Sequence, residues 1–143
     1  MRQLELIPAY GHRDEIVTLF TEYTNMLMEQ DETVRRYLIL QNYEKELAHP
    51  EEKYGMPEGR LYLACWEGRP AGCIGLWKLD EERGELKRLY VRPEFRGRRM
   101  GEALIRRILD DALEIGYRHV LLDTLPFLHS AIRLYREMGF YEI

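Results

Sequence analysis

Cysteine is scarce in this 143-residue chain. Cys65 and Cys73 are the only two, and both sit inside apolar segments without metal-ligand companions. That placement argues against a disulfide scaffold or a zinc site and leaves two reduced, buried thiols as the expectation, with no metal. Long apolar runs are missing as well. No stretch approaches the ~20 apolar residues of a transmembrane helix, and the opening MRQLELIPAY lacks the charged, apolar, small-residue succession of a secretory signal. A soluble, cytoplasmic protein with no membrane partner is expected. Repeats, low-complexity tracts and linker-like stretches are absent too, since glycine and proline fall singly between periodic segments. Length, with 45% hydrophobic and 32% charged residues, fits one domain over residues 1–143.

Basic charge is in overall deficit, 21 Lys and Arg against 25 Asp and Glu, yet it is concentrated. Residues 83–107 carry nine basic side chains against three acidic ones, a local +6 that leaves −10 for the remainder. A nucleic-acid-binding domain usually spreads basic charge over a face and has a high pI, whereas this pI is about 5.6. The pattern points to a local site for a small anion, with no nucleic-acid partner.

Periodicity sets the order of elements. Residues 3–7 alternate as a strand, and residues 8–11 break it. A helix is expected over 13–28, with Ile16, Leu19, Phe20, Tyr23 and Leu27 on one face. Asp31 is the expected N-cap of a second helix reaching about residue 47, ended by His49-Pro50, and 51–59 reads as loop. Apolar segments 61–66 and 71–79 flank Glu67-Gly68-Arg69-Pro70 as a hairpin, and a third strand over 85–92 completes a meander. Leu104, Ile105, Ile108, Ala112 and Ile115 then form a helical stripe stopped by Gly116. A strand over 119–124, a helix over 130–138 and the opening of a strand at 140–143 follow. The expected class is α/β (α+β), in the order β-α-α-β-β-β-α-β-α-β, with an antiparallel meander meeting a parallel strand reached by a helical crossover.

"RPEFRGRRMGEALIRRIL", residues 92–109, begins a helix without a Ser, Thr, Asp or Asn cap. The first turn of a helix leaves backbone N–H groups unpaired, and the helix dipole adds partial positive charge there. Glycines and arginines over 95–101 leave those amides open to an anion, and Gly97 and Gly101 permit close approach. Arg96, Arg98 and Arg99 add charge and paired donors suited to phosphate oxygens. The competing reading is a solvated helix start.

The strand, Arg92-Pro93, this loop and its helix, followed by a strand and "AIRLYREMGF" at 131–140, resemble the GNAT superfamily of acetyl-CoA-dependent N-acetyltransferases. The match is close over 84–143. The family signature Arg/Gln-x-x-Gly-x-Gly/Ala corresponds to Arg96-Gly97-Arg98-Arg99-Met100-Gly101, with Arg99 where glycine is usual. The resemblance implies a mixed, mostly antiparallel sheet with a central splayed parallel strand pair and helices on both faces. It implies that the backbone of Leu89, Tyr90 and Val91 pairs with the pantetheine arm of acetyl-CoA. The amides of Arg96, Gly97, Arg98, Arg99, Met100, Gly101 and Glu102 would hold the pyrophosphate. Tyr135 matches the family's tyrosine near the coenzyme sulfur, where a phenol can protonate a departing thiolate, and the Leu89 N–H would face the developing oxyanion.

Glu85 lies six residues before Val91, where some relatives place a glutamate base; its other reading is an ion-pair partner of Lys87 or Arg88. Leu128 stands where many relatives carry an asparagine. His129 has a surface or capping role beside a possible substrate contact. Tyr23, Met26, Met28, Tyr37 and Tyr43 read first as core, and in relatives the helices that carry them cover the acceptor. The family commonly continues beyond the glycine-phenylalanine pair, so a sheet edge is expected that a second subunit of a homodimer or further chain would cover. The implied reaction is acetyl transfer to a primary amine of a small molecule or peptide by direct attack in a ternary complex. Segment 14–58, with eleven acidic and four basic residues, suggests a cationic amine. The alternative is a non-catalytic acyl-CoA sensor on the same cradle.

Overall fold

The computed structural model describes residues 3–143. Strand β1 (Leu4–Pro8) is followed by α1 (Arg13–Gln30), α2 (Val34–Leu40), α3 (Tyr43–Ala48) and the one-turn α4 (Pro50–Lys53). Then come β2 (Arg60–Trp66), β3 (Arg69–Lys78), β4 (Arg83–Val91), a 3-10 turn (Pro93–Phe95), α5 (Met100–Ile115), β5 (His119–Leu121) and α6 (His129–Glu137). The sheet runs β1-β2-β3-β4-β5. Its first three pairings are antiparallel, and β4 with β5 is parallel, so the meander and the crossover both form as the patterning implies. A two-residue turn closes the β2–β3 hairpin, with Glu67 at φ 49° and Gly68 at φ 80°, the left-handed pair that matches strand twist.

Alternation along the strands supplies two apolar faces. Leu61, Leu63 and Cys73 meet Ile16, Leu19 and Phe20 of α1, together with Tyr54. Tyr62, Ala64, Ile74, Leu76 and Leu86 meet Met100, Leu104, Ile105, Ile108 and Ala112 of α5. Each fully buried aliphatic side chain contributes about 1.5–3 kcal/mol, which is what fixes both helices against the sheet. Helix α1 is also pinned to the end of β4: Glu22 accepts from Arg92 Nε at 3.0 Å and Nη2 at 2.8 Å, and from the Tyr90 hydroxyl at 3.3 Å. Among the described residues, no helix is long and apolar enough to cross a membrane.

The helix expected over 31–47 is instead two helices. Asn42 adopts φ 58°, a left-handed conformation that asparagine tolerates, and it breaks the chain between α2 and α3. Apolar spacing hides the break: Val34 and Leu38 pack on Leu27, while Tyr43 and Leu47 join the α1 face. Asp31 acts just ahead of α2, its Oδ1 accepting from the Thr33 backbone N–H at 2.9 Å and hydroxyl at 2.7 Å. Pro50 ends α3 and also opens α4 within the expected loop, at a helix start that needs no proline N–H. The strand expected over 119–124 stops at Leu121, where its pairing with β4 ends. Residues 140–143 form no strand; Phe140 packs edge-on against Tyr135, with ring centroids 5.9 Å apart.

Candidate active site

Strands β4 and β5 pair over three steps only, from Arg83 with His119 to Glu85 with Leu121. Beyond them β4 bulges against β3. Cys73 pairs with Tyr90 but Gly75 pairs with Lys87, so Arg88 and Leu89 share the place opposite Ile74. Arg88 holds φ 60°, a conformation that costs a non-glycine residue about 1–2 kcal/mol. An extra residue bends a strand away from its neighbour, and here it leaves the Leu89, Tyr90 and Val91 segment beyond the last β4–β5 pair. It also places two consecutive side chains on one face: Lys87 and Arg88 both donate to Gln41 Oε1, at 3.2 and 3.0 Å.

The loop from Arg96 into α5 winds through two left-handed residues, Gly97 at φ 82° and Arg99 at φ 59°. The Arg96 amide donates to Pro93 O at 3.2 Å, and the Ala103 amide to Arg99 O at 3.1 Å. Between them, the amides of Gly97, Arg98, Arg99, Met100, Gly101 and Glu102 have no acceptor among the described residues, and no side chain caps α5. Six unpaired N–H groups at a dipole-positive helix start are suited to an anion and make this loop a candidate cradle. The arginines differ in disposition. Arg98 lies over Trp66 and Phe95, 4.8 and 5.6 Å from the ring centroids, and Arg96 Nε donates to Val91 O at 3.3 Å. A Cβ at Gly97 would meet nothing within 4 Å, whereas one at Gly101 would come within 3.0 Å of Leu134 Cδ2, so α6 seats directly on the cradle.

Arg99 occupies the position where glycine is usual, and its left-handed backbone supplies the reason glycine suits it. Arg99→Gly removes a penalty of about 1–2 kcal/mol and adds back ~0.5–1 kcal/mol of chain entropy, so stability should rise by no more than about 1.5 kcal/mol. Arg99→Val puts a β-branched residue in the same conformation and should lose about 1–2 kcal/mol. Urea midpoints of the two variants measure the difference, and coincident midpoints would contradict it.

Tyr135 projects from α6 into the α5 side of the sheet. Its residue is only 9% exposed, and burial, with a smaller effect of Tyr23, raises its phenol well above the ordinary value. Among the described residues no buried side-chain oxygen or nitrogen lacks a partner, and the Tyr135 hydroxyl bonds to none of them, so that hydroxyl retains access to solvent. Glu85 sits on the opposite face of β4 with its carboxylate 3.8 Å from Lys87 Nζ. His129 is exposed at the start of α6, and Leu128 precedes it without a side-chain cap.

A second cluster on the α1 side has no counterpart in the sequence reading. Glu46 of α3 is 4% exposed and accepts from Arg88 Nε at 2.7 Å, Arg88 Nη2 at 3.0 Å, Lys53 Nζ at 2.8 Å and the Tyr54 hydroxyl at 3.0 Å. Burial alone would raise its carboxyl; hydrogen bonds and charge from Arg88 and Lys53 outweigh burial and hold it below the usual range. Trp77 carries Lys53 Nζ 5.1 Å and Lys87 Nζ 5.9 Å from its ring centroid. Glu46 lies in an ordinary charged run, "YEKELA", so its only local signal is its place three residues after Tyr43 on the packed side of α3. An open cleft of about 680 Å³ between α1 and α3 is lined by Arg13, Asp14, Val17, Thr18, Glu44, Leu47 and Ala48 and touches neither β4 nor the candidate cradle.

A bulged strand that runs on past its short parallel pairing, beside an uncapped glycine-arginine helix start, is the arrangement that the acyltransferase resemblance implies. Residues 16–140 match the Acetyltransferase (GNAT) family, and the chain belongs to that family. An uncharacterized N-acetyltransferase of Schizosaccharomyces pombe is 42% identical over 105 residues, covering 72% of this chain and 64% of the yeast protein. The chain thus spans a little under two thirds of that relative's length. The crystal structure of an acetyltransferase from Streptococcus agalactiae superposes with a TM-score of 0.80 at 22% identity, covering 100% of this chain and 86% of the other. A GNAT family acetyltransferase from Elizabethkingia anophelis, crystallised with acetyl-CoA bound, is 26% identical with a TM-score of 0.57, covering 64% of this chain and 60% of that one.

Proposed function

We propose that this protein transfers the acetyl group of acetyl-CoA to a primary amine of a small molecule or peptide, by direct attack without a covalent enzyme intermediate. The observation that carries this reading is the run of six unpaired amides from Gly97 to Glu102, seated against the helix that presents Tyr135. Bound there, acetyl-CoA supplies an activated thioester. The amides and Arg99 hold its diphosphate, and the Leu89–Val91 backbone, free of β5, lines its arm. Glu85 takes the proton of the incoming amine, the Leu89 N–H faces the acyl oxygen, and the Tyr135 hydroxyl gives its proton to the departing sulfur. The family membership and a relative crystallised with acetyl-CoA support the same choice of donor.

Ligand-dependent melting tests the reading at its base. A ligand bound only by the folded state at ~100 times its Kd adds about 2.7 kcal/mol. Acetyl-CoA and CoA should therefore raise the Tm by about 5–10 °C, while ATP, which lacks the pantetheine arm, should raise it by much less. An unchanged Tm at millimolar acetyl-CoA would overturn the proposal.

A further inference from the structure

Charge on the α1 side of β4 is unbalanced at one residue. Three cations, Lys53, Lys87 and Arg88, gather there around two carboxylates, Glu46 and Glu85. Glu46 is saturated by Arg88, Lys53 and Tyr54. Lys87 has a neutral partner, Gln41 at 3.2 Å, and one carboxylate, Glu85, at 3.8 Å, beyond hydrogen-bond reach. Burial, followed by the like charges of Lys53 and Arg88, pushes the Lys87 ammonium down to about 8. Beside it, Arg88 Nη1 has no acceptor among the described residues, although Nε and Nη2 of the same guanidinium are fully used. A largely buried ammonium lacking a close counter-ion destabilises the free protein, and an arriving anion relieves it.

Position says what kind of anion. Glu85 and Lys87 are alternate residues on one face of β4, immediately before the bulge at Arg88. A carboxylate and an ammonium 3.8 Å apart mirror the charges of an amino acid, whose own amine and carboxylate lie at a similar separation. The acid-rich segment does not oppose this polarity. Of its eleven carboxylates only Glu46 is buried, and that charge is met by Arg88 and Lys53.

We infer that the acceptor is an amino acid, its carboxylate held by Lys87 with Gln41 and Arg88 alongside and its amine directed to Glu85. The inference rests on the acetyltransferase reading and specifies its substrate class. The acceptor's ammonium gives one proton to Glu85, the nitrogen lone pair forms the new bond to the acetyl carbon, and the second proton that nitrogen sheds as the amide forms passes through solvent to restore the Tyr135 phenol. The carbon–sulfur bond breaks with its electron pair going to sulfur, which takes its proton from Tyr135.

Thiol release from acetyl-CoA with the twenty amino acids, their carboxamides and the corresponding decarboxylated amines tests this. The best amino acid should exceed its own carboxamide by roughly tenfold or more in kcat/KM, the scale of one charge-assisted contact. Lys87→Met should erase most of that preference, chiefly through KM. Equal use of acid and amide, or an acid preference that survives in Lys87→Met, overturns the inference. Calorimetry on the CoA-loaded protein gives an independent readout. N-acetylated amino acids should bind at least tenfold tighter than their carboxamides in wild type and not in Lys87→Met, and equal binding or none counts against the assignment. A protein that binds CoA and acetylates amines indiscriminately loses only this inference; one that ignores CoA loses the acetyltransferase reading itself.

Discussion

Tyr135→Phe should lower kcat by about 10²-fold or more while leaving the Kd for acetyl-CoA within about twofold. A positioned general acid contributes ~10²–10⁴ in rate, and the substitution removes one oxygen while keeping the ring that packs edge-on against Phe140. Burial raises the Tyr135 phenol, so it stays protonated through neutral and alkaline pH, and wild-type turnover should show no loss from this group up to at least pH ~10. Stopped-flow thiol release and equilibrium titration with acetyl-CoA separate the two quantities. A variant that binds the coenzyme and turns over at the wild-type rate would remove Tyr135 from the chemistry. Tight coenzyme binding by a wild type silent toward every amine would favour the sensor alternative.

The largest stability effect should come from Glu46→Ala. Removing one member of a buried pair strands the other charge, and typical losses are about 3–5 kcal/mol. For a chain of this size that is roughly 10 °C in Tm. Glu46→Leu combined with Arg88→Met removes both charges and should recover a large part of the loss, since replacing a whole buried pair by apolar groups is often neutral. The pH dependence has a defined sign. Because the folded carboxyl lies below its unfolded value, its contribution is complete above the ordinary glutamate range and disappears as pH falls through the depressed folded value. Wild type and Glu46→Ala should therefore converge in stability toward low pH, as measured by urea unfolding between pH 7 and pH 3. A constant gap would show that the contribution is packing alone.

Local pattern made some of this legible and long-range pairing hid the rest. The candidate cradle and the place of Tyr135 beside it are readable because a glycine-arginine run at an uncapped helix start and "LYREMGF" are each contiguous in the chain. The meander and the α5 stripe follow from periodicities of 2 and 3.6 that no tertiary contact overrides here. Glu46 with Arg88 joins residues 42 positions apart, and neither neighbourhood distinguishes a buried charge from a solvated one. The break at Asn42 is likewise silent, because apolar spacing continues across a left-handed residue. Residues 140–143 have strand-like composition, but a strand exists only where another offers its backbone, and Phe140 finds an aromatic ring instead.

The contact of α6 with the first turn of α5 works as a ruler. Leu134 comes so near Gly101 that a single added carbon would lie 3.0 Å from its Cδ2, closer than packed carbons usually sit, and Leu134 adjoins Tyr135 in the chain. On the proposed reading, the amides that take the diphosphate and the hydroxyl that serves the sulfur are thereby held at one spacing, matched to a carrier arm of one length. A carrier with a longer or shorter arm would lie in the same groove and present its thioester to the wrong atoms.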